Sequence, residues 1–236
     1  PGEHTNYGDE LNEVLWPALL PSLYKKDGVF VAIGTHLDDR LTTERPMTIF
    51  GAGAGYGLPP DLTGADVRFV RGPKTAQVLD LPESKAITDP AILFHEWYGR
   101  HSKHKCSFMP RWTSILSDPG LPERLAAGGV FTIDPTWPVD RVMMELADSD
   151  VLITEALHGA VVADAFRIPW VPVYSEQGHW FKWMDWCASM DLPYDPVNMS
   201  ICSIAWARDK GKRFLSNEGT FRYRLNQVKH EVEKMR

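Results

Sequence analysis

The stretch DVLITEALHGAVVADAFRIPWVPVYS, residues 150–175, decides the fold. Its apolar residues divide into a strand (150–157), a helix (159–167) and a second strand (170–175). Both strands are too apolar for a sheet with one wet face, so the segment reads as a β–α–β unit on a parallel sheet. Glu155 and His158 stand at the junction, where a core would take nothing ionisable. In a parallel sheet the carboxyl ends of strands and the starts of the following helices face the ligand. Gly159 and Ala160 let a backbone come close, and the N–H groups of a helix start favour an anion. Glu155 can orient the imidazole or share its proton. A structural histidine that caps the helix is the bland alternative; the strand–His–Gly–helix setting favours the ligand-facing one.

The same grammar extends outward. Residues 105–110 and 129–134 read as strands and 138–149 as a helix. In the first half, 28–34, 47–53 and 67–72 read as buried strands, each ending near glycine. A helix over 9–23 is interrupted at Pro17, and another over 73–81 opens at Pro73, a favoured first-turn residue. The expected architecture is α/β: two Rossmann-like halves, 1–104 and 105–236, on mostly parallel sheets with a cleft between them. The polar stretch 94–105 is the connection, and the tail from 219 a charged surface helix.

Composition narrows the function. The 236 residues carry 25 Lys+Arg against 31 Asp+Glu, a formal charge of −6, and no basic run tracks a phosphate backbone; a nucleic-acid partner is not expected. Cys106, Cys187 and Cys202 are odd in number and widely spaced, which argues against a disulfide framework and for a reducing cytoplasm. His95, His101 and His104 form no ligand spacing, so no metal is expected. No apolar run reaches the ~20 residues that span a bilayer. A chain opening on Pro1 suggests a processed or trimmed start.

Five other motifs bear polar chemistry. HTNYGDELN (4–12) sets Asn6, Gly8, Asp9 and Asn12 around a loop-to-helix transition, as ligand contacts or as plain capping. GAGAGYG (51–57), which contains Gly53, fits neither GxGxxG nor the Walker pattern and reads as a loop able to hug a substrate. RGPKTA (71–76) places Arg71 at a strand end with Lys74 and Thr75 on the next helical turn; a guanidinium fork there takes phosphate or carboxylate, or makes a surface salt bridge. FMPRW (108–112) offers Arg111 as a second cation. HWFKWMDW (179–186), with Lys182 and Asp185 among its tryptophans, reads most simply as core packing or an interdomain wedge, with a sugar platform or membrane-surface contact as alternatives.

Together NYGDELN, GAGAGYG, RGPKTA, TEALHGAVVADAFRIPWVPV and FKWMDW, in this order, resemble the polysaccharide pyruvyl transferase family, in particular its exopolysaccharide ketal-forming branch. That resemblance implies a fold similar to GT-B glycosyltransferases, phosphoenolpyruvate as donor substrate with no cofactor, and a lipid-linked oligosaccharide as acceptor. It implies transfer of pyruvate to two sugar hydroxyls as a cyclic ketal with loss of phosphate, in the cytoplasm or at the inner face of the membrane. In that frame His158 does acid–base work, with Glu155 tuning it or taking the acceptor's proton. Arg71 grips the donor's anionic groups, aided by Arg111 or Lys182. Ala156 stands where many relatives have Arg, and Arg111 where the branch often has His. A GT-B glycosyltransferase using a nucleotide sugar, or an inactive relative acting as a binding module, remains the alternative.

Overall fold

The computed structural model describes residues 7–23, 27–42, 44–99, 101–174, 179–198 and 204–236. The chain divides into two compact units. One comprises residues 11–93, 179–193 and 217–236; the other residues 1–10, 94–178 and 194–216. We call them the three-stranded and four-stranded units after their sheets. The chain order is α1 (Tyr7–Leu19), β1 (Val29–Val31), β2 (Met47–Phe50), β3 (Asp66–Phe69), α2 (Pro73–Val78), β4 (Ser107–Met109), α3 (Trp112–Ser117), α4 (Leu121–Ala127), β5 (Phe131–Thr132), α5 (Val139–Ala147), β6 (Leu152–Thr154), α6 (Leu157–Ala165), β7 (Trp170–Pro172), α7 (Trp180–Ser189), α8 (Ile204–Phe214) and α9 (Glu218–Met235).

Both sheets are parallel throughout, ordered β1-β2-β3 and β5-β4-β6-β7. The α/β class therefore stands as expected. Each strand is shorter than its apolar run, because the run continues into buried loop: Ala52 and Ala54 beyond β2, Val70 beyond β3 and Ile133 beyond β5 are all buried. The three-stranded core holds an aromatic cluster, with Trp16 edge-on to Phe30 (5.2 Å) and Phe50 (5.3 Å), and Phe50 edge-on to Phe69 (4.7 Å). Helix α1 runs through Pro17 to Leu19. Proline removes the bond to the carbonyl of Glu13, but both residues are exposed, so water can serve that carbonyl.

The division falls at 93/94 rather than the expected 104/105, and two later segments rejoin the three-stranded unit. Burial explains both returns. Trp183 and Trp186 of α7 are buried, and α9, expected as a charged surface helix, buries a stripe of Phe221, Leu225, Val228 and Val232. Arg68 on β3 donates to Glu231 on α9 at 2.8 Å. Among the described residues no helix is long and apolar enough to cross a membrane.

Candidate functional site

In the four-stranded unit β4 and β6 are neighbours, paired Met109 to Thr154. The residues just beyond both strands thus emerge side by side at the carboxyl edge. The Glu155 N–H donates to the Met109 carbonyl (3.0 Å), and the Arg111 backbone N–H donates to Oε2 of Glu155 (3.1 Å). Thr154 turns the chain: its Oγ1 accepts the Ala156 N–H at 2.9 Å. Helix α6 then begins at Leu157, earlier than the expected Gly159, which puts His158 inside the first turn rather than ahead of it. His158, Glu155 and Arg111 are all half-buried.

Glycines shape this edge. A Cβ on Gly159 would lie 2.7 Å from Met109 Sδ and 2.8 Å from Thr154 Oγ1, so that residue packs α6 onto its sheet. A Cβ on Gly8, in the first turn of α1, would lie 2.0 Å from His158 Nδ1. Gly8 therefore faces the imidazole in this structure. Its neighbour Tyr7 is buried and donates to Met143 Sδ at 2.9 Å, and burial pushes its phenol well above the ordinary tyrosine range. Asp9 sits half-buried in the same turn. Asn6 lies outside the described residues.

The corresponding edge of the three-stranded unit is built differently. Arg71 follows β3 with its side chain wholly buried. Nε donates to Asp185 Oδ2 (3.2 Å), Nη1 to Thr35 Oγ1 (2.8 Å) and Nη2 to the Ala54 carbonyl (2.9 Å). Thr75 completes the knot: its hydroxyl donates to Asp185 Oδ2 (2.6 Å), accepts the Ala54 N–H (3.0 Å), and its own N–H donates to Asp185 Oδ1 (2.9 Å). Gly53 lets the guanidinium lie against the loop, since a Cβ there would come 2.1 Å from Cζ. A grip on a donor by Arg71 would have to compete with three bonds inside its own unit.

Asn12 is likewise occupied by the fold. Its amide donates to the Ile33 carbonyl (2.7 Å) and accepts the Ile33 N–H (3.0 Å), tying α1 to the chain just beyond β1. Lys74 is half-buried on the first turn of α2. Lys182 donates to the Tyr56 hydroxyl at 3.3 Å, anchoring the glycine-rich loop to α7. Asp185 is the residue that sequence reasoning left without a role. A carboxylate between two buried tryptophans, Trp183 and Trp186, must have a partner, and that was the available signal. A bowl of about 680 Å³ lined by Leu41, Arg45, Met47, Pro59 and Asp61 opens at the amino end of β2, away from the carboxyl edge of its own sheet. Among the described residues no group of three or more His, Cys, Asp or Glu could hold a metal ion.

Comparison with known proteins converges on one family. The sequence profile of polysaccharide pyruvyl transferases matches residues 45–177, the interval that contains Gly53, Arg71, Thr75, Arg111, Glu155 and His158. The succinoglycan biosynthesis protein ExoV of Rhizobium meliloti (strain 1021) is 35% identical over 223 residues, which cover 90% of this chain and 70% of the relative. Among solved structures, the glycotransferase of kitacinnamycin aligns with a TM-score of 0.34 at 10% identity, over 80% of this chain. The chain spans about half, 51%, of that protein's length. On the profile match and the ExoV identity, this chain is an enzyme of the polysaccharide pyruvyl transferase family.

Proposed function

We propose that this enzyme moves pyruvate from phosphoenolpyruvate onto two hydroxyls of one sugar in an exopolysaccharide repeat unit, as a cyclic ketal. The family match supports pyruvyl transfer, and the ExoV relative, assigned to succinoglycan biosynthesis, supports an exopolysaccharide acceptor. A lipid-linked acceptor would put the reaction at a membrane surface. The observation that carries the residue assignment is the half-buried His158 in the first turn of α6, three residues after a Glu155 fixed by the Arg111 backbone.

The chemistry asks for few groups. An acid protonates the methylene carbon of phosphoenolpyruvate, which becomes the methyl group. The neighbouring carbon gains oxocarbenium character, and one sugar hydroxyl adds to it while a base takes the hydroxyl proton. The carbon–oxygen bond to phosphate then breaks, phosphate leaves with its electron pair, and the second hydroxyl closes the ring with loss of its proton. In this reading His158 delivers the first proton and Glu155 takes the hydroxyl's. Arg111 and the N–H groups opening α6 steady the anionic donor. Arg71 belongs to the framework that shapes its own unit. No cofactor is needed, since the donor brings its own leaving group.

The test is phosphate release from phosphoenolpyruvate with a panel of lipid-linked oligosaccharides, the product examined by NMR for the ketal methyl group. The reading expects release that depends on the acceptor. A melting temperature that rises with nucleotide sugars and not with phosphoenolpyruvate would overturn it in favour of glycosyl transfer. Binding of phosphoenolpyruvate with no turnover on any acceptor would instead indicate an inactive binding relative.

A further inference from the structure

Gly8 sits in a helix that would be better served by alanine. Glycine in a helix is unfavourable relative to alanine, because it loses more backbone freedom on folding. Glycine is tolerated where φ is positive, but Gly8 is not one of the positive-φ glycines of this chain; its backbone is ordinary α-helix. What remains is space. A Cβ at this position would stand 2.0 Å from Nδ1, 2.8 Å from Cγ and 2.9 Å from Cε1 of His158, far inside contact distance. Because Cγ is among these atoms, a small twist of the ring does not relieve the clash; the whole imidazole has to swing about its own Cα–Cβ bond.

We infer that Gly8 is a positioning residue: its missing side chain is the seat that fixes the His158 imidazole at the carboxyl edge of the four-stranded sheet. The first turn of α1 and the first turn of α6 together define where that ring lies. The contribution of Gly8 to the NYGDELN motif is thus exerted through His158. The inference rests on the acid–base reading of His158 for its effect on rate, but not for its effect on stability.

The experiment is a double-mutant cycle on the full chain with Gly8→Ala, His158→Ala and both together, reading kcat, donor KM and melting temperature. G8A alone is expected to lower kcat about 10²-fold by displacing the ring, with donor KM within about threefold of wild type. The double variant is expected to turn over no more slowly than H158A, because the glycine acts only through the ring. The stability arm has an opposite sign in the two backgrounds. With the ring present, G8A lowers the melting temperature or leaves it unchanged; with the ring removed, the same change raises it by about 1–3 °C. Multiplying rate losses, or a double variant that melts below H158A, would overturn the inference. If G8A does not fold, a folded double variant supports the inference and an unfolded one refutes it. If H158A keeps the wild-type rate, the acid–base reading fails and the melting temperatures alone decide the role of Gly8.

Discussion

The two carboxyl edges start from the same plan, a parallel sheet whose strands end in charged residues, and finish in opposite states. At the edge of the four-stranded unit His158, Glu155 and Arg111 are only partly buried. At the edge of the three-stranded unit Arg71 and Asp185 are both 0% exposed and locked to each other, with Thr75, Thr35 and Ala54 closing the knot. A charge at a strand end is thus not by itself a ligand contact. At the three-stranded edge another segment of the same unit supplies the counter-charge. Asp185 on α7 does so for Arg71, and the protein then uses the guanidinium as structure.

That contrast predicts which measurement each substitution moves. Arg71→Met leaves Asp185 as a buried carboxylate without its ion-pair partner, and we expect a loss of about 3–5 kcal/mol in unfolding free energy by denaturant titration. An R71M protein as stable as wild type but with weakened phosphoenolpyruvate binding would break the contrast by returning Arg71 to the donor. Glu155→Gln should act the other way, lowering kcat about 10²-fold in the phosphate-release assay with the melting temperature held. A matched fall in stability would make Glu155 framework too. Thr75→Val strips Asp185 of one donor and leaves the Ala54 N–H unpaired, at about 1–3 kcal/mol of stability by the same titration.

The smallest effect lies just before the amino end of β6. Hydrogen bonds from Ser102 and Arg208, with the charge and hydrogen bond of Lys105, hold the Asp150 carboxyl below the usual carboxylate range against the opposing pull of burial. A depressed folded pKa gives stability that is present above the unfolded pKa and lost as pH falls through the folded one. Asp150→Asn should therefore cost about 0.5 kcal/mol or less near neutrality, solvent screening included, and nothing in strong acid. Melting curves of the two proteins across acid pH check it.

Much of this contrast could be read in advance, and the part that could not has a physical cause. Apolar runs and glycines announced the seven strands of the described residues and the parallel sheets, because burial on both faces leaves a continuous apolar signature. Strand ends were harder. Thr154 folds its hydroxyl back onto the chain and starts α6 early, a local bond that periodicity does not register. The pairing of Arg71 with Asp185 spans 114 positions and is set by how α7 packs, so the RGPKTA motif pointed equally well to a ligand. Asn12 misleads for a similar reason: its partner, the backbone of Ile33, is 21 residues away. The apolar stripe of α9 was present at helical spacing but masked by the charges around it. Glu155 and His158, three positions apart in one segment, were legible because strand, turn and helix put them together locally.

The central claim is that the four-stranded edge supplies the chemistry through His158. The most direct test is kcat for H158A at saturating phosphoenolpyruvate and acceptor, on protein shown to melt within about 2 °C of wild type. The account predicts a fall of about 10²–10⁴-fold. A rate within about threefold of wild type would contradict it.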